Sequence, residues 1–571
     1  MVKVTINNKE LKVAEGMTIL EAARCGGIDI PTLCYLKEIN EIGACRVCVV
    51  EVEGANRLAA ACNTKVEDGM VIHTNSPRAV AARRANLQLI LSEHDTSCTT
   101  CVRSGNCTLQ SLTNDLGIIG NPYGTKHAKK NWDKSFPLIR DDSKCIKCLR
   151  CVDVCDKVQS LGVWSFNGSG QRARIVFGEG RELRDVNCAL CGQCITHCPV
   201  GALIARDDTE KVFEALNDPE RITIVQVAPA VRAAWGDGLG LEHECATEYR
   251  MATALRALGF NFVFDTSFTA DLTIMEEGSE FIERMTKHEK LPLFTSCCPG
   301  WVRFLRSEYP EFTSNLSSAK SPQQMFGAVA KTYWAELLKV DPAKICCVSI
   351  MPCTAKKYEC SVEQVNSSGA GRDVDYVLTT RELVRMLKAA RVDVANLPEE
   401  EFDMPLGESS GAAVIFGASG GVMEAALRTA YYLLTGRNPD PDAFRAVRGA
   451  YGRREIEVDI SGVHVRAAVV SGLGNARALL EDIKNGKAEY DFIEVMACPG
   501  GCAGGGGQPI SDGCELAGER GQILYEIDAE NPKRFSHENT AVQNLYADFM
   551  GKPLSHRSHE LLHTDHSKWS K

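Results

Sequence analysis

Residues 145–155, CIKCLRCVDVC, and residues 188–199, CALCGQCITHCP, carry the same C-x2-C-x2-C-x3-C spacing twice. A duplicated sulfur pattern of this kind is the ligand set of iron–sulfur clusters. Zinc knuckles also use Cys-x-x-Cys pairs, but a zinc site has no need of two interlocked copies. The rest of the chain is therefore read outward from a redox-active metal segment.

The 571 residues hold 26 cysteines. In a chain that is not secreted, that number argues for metal ligation over disulfides. The opening MVKVTINNKELKV alternates polar and β-branched residues, as a strand does, where a secretory leader would have a charged stretch followed by an apolar one. A cytoplasmic location is expected on that ground. No apolar run is long enough to span a bilayer, so no membrane association is expected. The net charge of −10 offers no basic footprint for nucleic acid. Lys126, Lys129 and Lys130 form a short basic run. It suits either the steering of an acidic electron carrier or a plain solvated loop, the commoner use of such runs. The length exceeds one hydrophobic core and implies about three to five domains.

Residues 1–78 read as short alternating strands around a helix from Thr18 to Cys25, with Cys34, Cys45, Cys48 and Cys62 in loops. The close pair Cys45 and Cys48 resembles that of plant-type 2Fe-2S ferredoxins, although the gap from Cys34 is longer, and the segment resembles a β-grasp 2Fe-2S domain. A structural zinc is the alternative. In residues 79–125 a helix rich in Ala, Arg and Leu runs into His94, Cys98, Cys101 and Cys107. Three thiolates and one imidazole suit a 4Fe-4S cluster or, by ligand type alone, zinc. A redox-inert ion between electron-carrying domains would break the path, which favours the cluster. Residues 126–207 resemble bacterial 2x4Fe-4S ferredoxins, in which the fourth cysteine of each run serves the other run's cluster. That implies one cluster on Cys145, Cys148, Cys151 and Cys198, and another on Cys188, Cys191, Cys194 and Cys155.

From residue 208 to 571 the texture changes. Apolar runs at 222–231 (ITIVQVAPAV), 344–353 (KICCVSIMPC), 374–380 (VDYVLTT), 411–420 (GAAVIFGASG), 463–472 (VHVRAAVVSG) and 490–500 (YDFIEVMACPG) read as strands. Amphipathic helices are expected over Glu248–Leu258 and Glu424–Leu434, giving an α/β domain of parallel sheets with a helical segment at about 515–571. Three strand-to-loop junctions bring sulfur to one end of the sheets: TSCCPGW at 295–301, Met351-Pro-Cys353 with Lys356 and Glu359, and EVMACPGGC at 494–502. Loops at the carboxyl ends of parallel strands are where open α/β folds bind ligands.

These three segments resemble the signature motifs of FeFe hydrogenases, and with the N-terminal cysteine blocks the resemblance spans essentially the whole chain. It implies a multidomain α+β and α/β fold: a β-grasp 2Fe-2S domain, a 4Fe-4S domain with one histidine and three cysteine ligands, a bacterial 2x4Fe-4S ferredoxin domain and a two-lobed α/β catalytic H-domain. The implied activity is reversible reduction of protons to dihydrogen. The implied cofactors are one 2Fe-2S cluster, three accessory 4Fe-4S clusters and an H-cluster, a 4Fe-4S cubane joined to a diiron unit with carbonyl, cyanide and azadithiolate ligands. Carried over by position, Cys298, Cys353, Cys498 and Cys502 hold the cubane, with Cys502 also bridging to the diiron unit. Lys356 matches the cationic partner of a cyanide. Pro229, Ser321, Gln323, Met351, Phe416 and Met496 match other pocket positions. Cys297 matches the residue that passes protons to the azadithiolate amine, and Glu277, Glu280, Arg284 and Ser317 match the proton channel. Spacing alone gives Glu280 and Arg284 a blander reading, an ordinary i, i+4 pair on an exposed helix.

Other signals carry less. Gly472 and Gly474 after a strand resemble a dinucleotide-binding turn, but Arg477 stands where the third glycine belongs. Gly504 to Gly507 lack a following Lys-Ser/Thr and read as close backbone packing against the cluster. His556, His559, His563 and His566 fall along one stripe and read as exposed helical histidines. Cys25, Cys245, Cys346, Cys347, Cys360 and Cys514 read as small buried residues. An electron-relay subunit is one competing reading, since residues 1–207 also resemble the cluster-bearing arm of respiratory NADH dehydrogenase. A sensory or assembly relative is a second, and the catalytic subunit of a multi-subunit NAD(P)-linked hydrogenase is a third. Expected partners are ferredoxin or a similar carrier, NAD(P)-linked flavoprotein subunits in the third reading, and dedicated maturation enzymes.

Overall fold

A computed structural model describes residues 1–124, 133–178, 182–512 and 515–569. Lys126, Lys129, Lys130 and Cys514 lie outside the described residues. By its contacts the chain divides into one unit of residues 1–158, 162–182 and 194–204, and a second of residues 159–161, 183–193 and 205–571.

In the first unit, the strands Val2–Ile6 and Lys9–Val13 form a hairpin, and Val2–Ile6 then pairs in parallel with Met70–His73. Val49–Val52 and Ala59–Ala60 extend the sheet on the far side. The helix Ile19–Cys25 starts where Thr18 and Glu21 form a reciprocal capping box, satisfying two backbone N–H groups that the helix leaves unpaired. Ile19, Leu20, Ala22 and Ala23 turn into the core with Val4, Ile6 and Ile72. This is the expected β-grasp arrangement. Cys25 departs from expectation: it ends the helix exposed, because the helix's buried face is already filled by the residues before it. The helix Pro77–Glu93 follows, with Ser76 as N-cap and Pro77 at the first position, where a missing N–H costs nothing.

The second unit holds two sheets. One runs Phe262–Asp265, Ile222–Val227, Ile345–Met351, Tyr376–Thr379, all parallel. Its strand Ile345–Met351 is buried at every residue, as expected of a parallel strand covered on both faces. Cys346, Cys347 and Cys360 are buried as expected, whereas Cys245 is only half-buried, in the loop before the helix Glu248–Ala257. The second sheet runs Leu293–Phe294, Phe492–Met496, Val463–Ser471, Gly452–Ile460. Its last pair is an antiparallel hairpin, so this sheet is mixed and not purely parallel.

The run 411–420 is not a strand. It forms the helix Gly411–Val414 and a 3-10 turn Ile415–Gly417, with the Ser410 hydroxyl accepting from the Ala413 N–H at 3.3 Å. Short apolar runs cannot be sorted into buried helix or strand by periodicity. Here tertiary packing decides, since a Cβ on Gly417 would fall 3.0 Å from the Ala230 backbone nitrogen and one on Gly420 2.2 Å from the Val447 carbonyl oxygen. Among the described residues no helix is long and apolar enough to cross a membrane.

Gly504 to Gly507 pack against other backbone. A Cβ on Gly505 would lie 2.2 Å from the Pro352 carbonyl oxygen, and one on Gly506 2.3 Å from that of Cys191. Gly506→Ala should therefore separate the loop at 504–507 from the loop at 191–193, costing about 1–3 kcal/mol of stability as overpacking. A lower denaturant midpoint for the variant checks this, and an unchanged midpoint contradicts it.

Candidate active site

Both sheets of the second unit end at the same place. Ile222–Val227 delivers Ala228 and Pro229, Ile345–Met351 delivers Pro352 and Cys353, Leu293–Phe294 leads to Cys297 and Cys298, and Phe492–Met496 leads to Cys498 and Cys502. There they enclose a cavity of about 80 Å³ whose wall includes Pro229, Gln323, Met351, Phe416 and Met496 together with Cys297, Cys298, Cys353, Cys502 and Lys356. Thr266, Pro322 and Gly417, which the motifs did not mark, complete it. Ser321 is not in the wall; its hydroxyl donates to Glu359 at 2.9 Å. Cys498 is set behind the cavity, with its thiol 3.6 Å from the Cys191 carbonyl oxygen.

The sulfurs of Cys298, Cys353, Cys498 and Cys502 lie close together, and their proximity opposes ionisation of the Cys353, Cys498 and Cys502 thiols. Burial first, and then Cys298, pushes the Cys353 thiol up to about 12. Cys498 and Cys502 are driven upward for the same two reasons, burial and neighbouring sulfur. A set of buried thiols that resist ionisation together becomes a set of ligands only against concentrated positive charge, which an iron–sulfur cubane supplies. Among the described residues no three His, Cys, Asp or Glu donors converge as a single ion requires. The donor set thus fits a polyatomic cluster better than one zinc about 2.3 Å from each sulfur.

Lys356 reaches the cavity from the first turn of the helix Lys356–Glu359. Its ammonium donates to the Cys297 carbonyl oxygen at 3.0 Å and to Glu359 at 2.8 Å. Burial works against its charge, but the Glu359 carboxylate more than offsets this and holds its pKa above the ordinary value. A fixed cation thus points at a dry pocket.

A line of polar groups leaves the cavity past Cys297. Burial and then the Glu277 carboxyl push the Cys297 thiol well up, so it keeps its proton. Glu277 is itself raised to about 8, by burial first and by Glu280 second, and one of its oxygens has no hydrogen-bond partner. The Ser317 hydroxyl donates to Glu280 at 2.9 Å, and Arg284 donates to Glu280 at 2.6 Å. The expectation of an exposed Glu280–Arg284 pair is corrected. Glu277 is 1% and Glu280 8% exposed, because this end of the helix Ser267–Lys287 is covered by the segment around Ser317 and by the C-terminal residues.

Several of the remaining candidate ligands lie close to one another or to a neighbouring cysteine loop. In the first unit Cys34 hydrogen-bonds Cys45, and Cys48 hydrogen-bonds Cys62. His94 is buried with Nδ1 2.9 Å from the Lys144 carbonyl oxygen. A carbonyl only accepts, so Nδ1 carries the proton and the lone pair is on Nε2, the tautomer a metal-ligating histidine adopts when its other nitrogen is oriented by backbone. Cys107 and Cys101 approach the Pro199–Gly201 turn. Cys198 lies among Cys145, Cys148 and Cys151, as cross-ligation requires. In the second unit, Cys188 and Cys191 sit on a loop held by Arg303, which donates to the Cys188 carbonyl at 3.0 Å, and by Thr354, which donates to Leu190 at 2.5 Å.

The histidine stripe is corrected as well. His563 and His566 are buried, while His556 and His559 are exposed. His563 is the C-cap of the helix His556–Leu562 and His566 opens the following turn, so the two fall off the helical stripe and inside the fold.

Glu277 gives a signed pH prediction. A carboxyl raised from 4.5 to about 8 is neutral in the fold while the unfolded chain ionises. Its contribution to stability is fully present below pH 4.5 and is lost as pH rises through about 8. Glu277→Gln removes that loss, so the variant's unfolding midpoint should gain on the parent's between those limits and level off above them. Any turnover that depends on a proton passing Glu277 should fall at every pH, because an amide cannot pass one. A variant with parental turnover would remove Glu277 from the proton line.

Five family models match successive parts of the chain. They are a 2Fe-2S iron-sulfur cluster binding domain over residues 1–77, an NADH-ubiquinone oxidoreductase-G iron-sulfur binding region over 83–121, and a 4Fe-4S dicluster domain over 144–202. The C-terminal domain of the iron only hydrogenase large subunit matches 221–506 and the iron hydrogenase small subunit 515–569. The last match gives the C-terminal segment a family identity that its sequence had not suggested. The chain is 50% identical over 581 residues to the NADP-reducing hydrogenase subunit HndD of Solidesulfovibrio fructosivorans, covering 100% of this chain and 99% of that one. It is 40% identical over 576 residues to iron hydrogenase 1 of Clostridium pasteurianum, covering 100% of both. A variant of the apo FeFe-hydrogenase of Chlamydomonas reinhardtii superposes with a TM-score of 0.57 at 42% identity, over 63% of this chain and 98% of that one. The chain belongs to the iron-only hydrogenase family of iron–sulfur oxidoreductases.

Proposed function

We propose that the chain interconverts protons, electrons and dihydrogen at an H-cluster whose cubane is held by Cys298, Cys353, Cys498 and Cys502. The observation that carries this is the meeting, at and just behind one cavity, of four cysteine sulfurs, a fixed lysine cation and a buried carboxyl line. When bound, the diiron unit supplies the metal centre at which dihydrogen is formed or split. The chain's own residues do the rest. Cys297 keeps a proton at the cavity wall, and Glu277, Ser317 and Glu280 carry protons between it and the surface, with Arg284 holding the Glu280 carboxylate. Lys356 orients and balances an anionic ligand, while Pro229, Gln323, Met351, Phe416 and Met496 exclude water. Ser321 acts one step back, holding Glu359 beneath Lys356.

Electrons arrive over accessory clusters on the remaining sets. These are a 2Fe-2S cluster on Cys34, Cys45, Cys48 and Cys62, and a 4Fe-4S cluster on His94, Cys98, Cys101 and Cys107. Two more 4Fe-4S clusters belong to the cross-ligated runs. The external donor is ferredoxin or a partner subunit. The 50% identical relative named as an NADP-reducing hydrogenase subunit favours further subunits that handle the nucleotide. Consistent with this, the GxG turn has Gly474 inside the helix Leu473–Lys484 and offers no dinucleotide fingerprint of its own.

Infrared spectra of protein matured with the diiron unit should show metal-bound carbonyl and cyanide bands, and a reduced dye should drive hydrogen evolution. Cys297→Ala should keep those bands while lowering turnover by about 100-fold or more, the scale of a lost general acid. Parental turnover in Cys297→Ala would refute its role, and matured protein without the bands would refute the H-cluster.

A further inference from the structure

The helix Ser267–Lys287 carries a third buried carboxylate that the proton line does not use. Glu276 precedes Glu277 and so faces about 100° away from it around the helix. Each of its oxygens accepts twice: Oε1 from the Tyr546 hydroxyl and the Ser558 hydroxyl, both at 2.5 Å, and Oε2 from the Leu554 N–H at 2.9 Å and His563 Nε2 at 3.0 Å. Burial works to raise its pKa, but the hydrogen bonds of His563, Ser558 and Tyr546 hold it below the ordinary value, so it is a fixed anion. All four donors come from residues 546–563, inside the segment that matches the small-subunit family.

His563 relays this anchoring. With Nε2–H committed to Glu276, its Nδ1 meets the Ser318 hydroxyl at 2.8 Å. The Ser318 N–H donates to the Glu280 carboxylate at 3.0 Å. His566 grips the neighbouring residue, with Nε2 2.9 Å from the Ser317 carbonyl oxygen. Burial pushes His566 down to about 4, so near neutral pH it is an uncharged donor. The Thr564 N–H donates to the Ser318 carbonyl and the Lys320 N–H to the Leu562 carbonyl, both at 2.8 Å, with Ala319 and His563 bridged between them. The chain from Ser317 to Lys320 is thus held on both its donor and acceptor sides by residues 562–566. That short stretch supplies the Ser317 hydroxyl and the Ser318 N–H that fix Glu280.

We infer that Glu276, His563 and His566 are positioning residues for proton transfer between Ser317 and Glu280, acting through the backbone of Ser317 and Ser318. No proton need pass along them: the connections to Glu280 run through backbone amides, which hold geometry and do not shuttle. The inference rests on the proton line proposed above.

The test uses matured holoenzyme carrying His566→Leu, His566→Gln, Glu276→Gln or Ser317→Ala, with His556→Ala, an exposed ring outside this network, as control. Turnover with reduced dye, KM for the dye, the solvent deuterium isotope effect and the carbonyl and cyanide bands are measured. His566→Leu and Glu276→Gln should keep the bands and the KM, lower kcat by about 10- to 100-fold and enlarge the isotope effect, the cost of a misplaced reacting group. His566→Gln, which retains an N–H donor, should recover most of the loss, and His556→Ala should match the parent. Parental kcat and isotope effect in His566→Leu and Glu276→Gln would overturn the inference. Loss of the bands in both histidine variants would also overturn it, by reducing the role to folding. Ser317→Ala separates the two readings. If it too is fully active, the proton line falls and takes this inference with it; if it alone is impaired, only the positioning role falls.

Discussion

Four thiols that cannot ionise together unless metal joins them are the constraint around which the second unit is arranged. Unit charges a few ångströms apart repel by about 3–4 kcal/mol per pair at an effective dielectric of about 20. For Cys353, Cys498 and Cys502 burial penalises the charge again. Such a group persists only if folding puts it where a cluster will neutralise it. The fold meets this by ending two sheets at one point and delivering each sulfur on a loop whose backbone is locked by glycine-to-carbonyl packing. The same loops bring Cys191 beside Cys498, so the second cysteine run touches the cavity's own sulfur set through one carbonyl.

Dry surroundings also decide the acid–base chemistry. Glu277 is buried with one oxygen unpartnered and its pKa is raised to about 8, whereas Glu280, one turn further along, accepts from Ser317, Ser318 and Arg284. The line is therefore polarised. Its inner end favours the protonated, uncharged form and its outer end sits beside a cation near solvent. On the proposed reading, a proton bound for Cys297 would then leave no charge stranded at the inner end of the line.

What is legible in the sequence follows from what is local. Ligand spacing is set within a few residues, so the Cys145 and Cys188 runs, and the loops at Cys298, Cys353 and Cys498, stand out without any knowledge of the fold. The β-grasp helix is legible for the same reason, its capping box lying within Thr18 and Glu21. Burial is not local. Glu280 and Arg284 have the spacing of any surface pair, and only the covering segment at Ser317 makes them an interior one. The run 411–420 has the composition of a strand, and only its glycine contacts with distant backbone make it a helix. The spacing of His563 and His566 suggests a helical stripe, but the helix ends before either of them.

Imidazole chemistry, more than spacing, accounts for the histidines of the C-terminal segment. A stripe of histidines suggests metal, but imidazole is also the side chain best able to bridge an anion and a hydroxyl, donating from one nitrogen and accepting at the other. His563 does this between Glu276 and Ser318. The carboxylate fixes which nitrogen carries the proton, and so fixes the direction of the hydroxyl bond. A segment that a family model treats as a small subunit thereby covers one side of the helix Ser267–Lys287. Glu276 and Glu277, adjacent in sequence, are held by opposite means, one by four donors and the other by almost none. The helix that carries both is what keeps the buried carboxyl line in register with the Cys297 thiol.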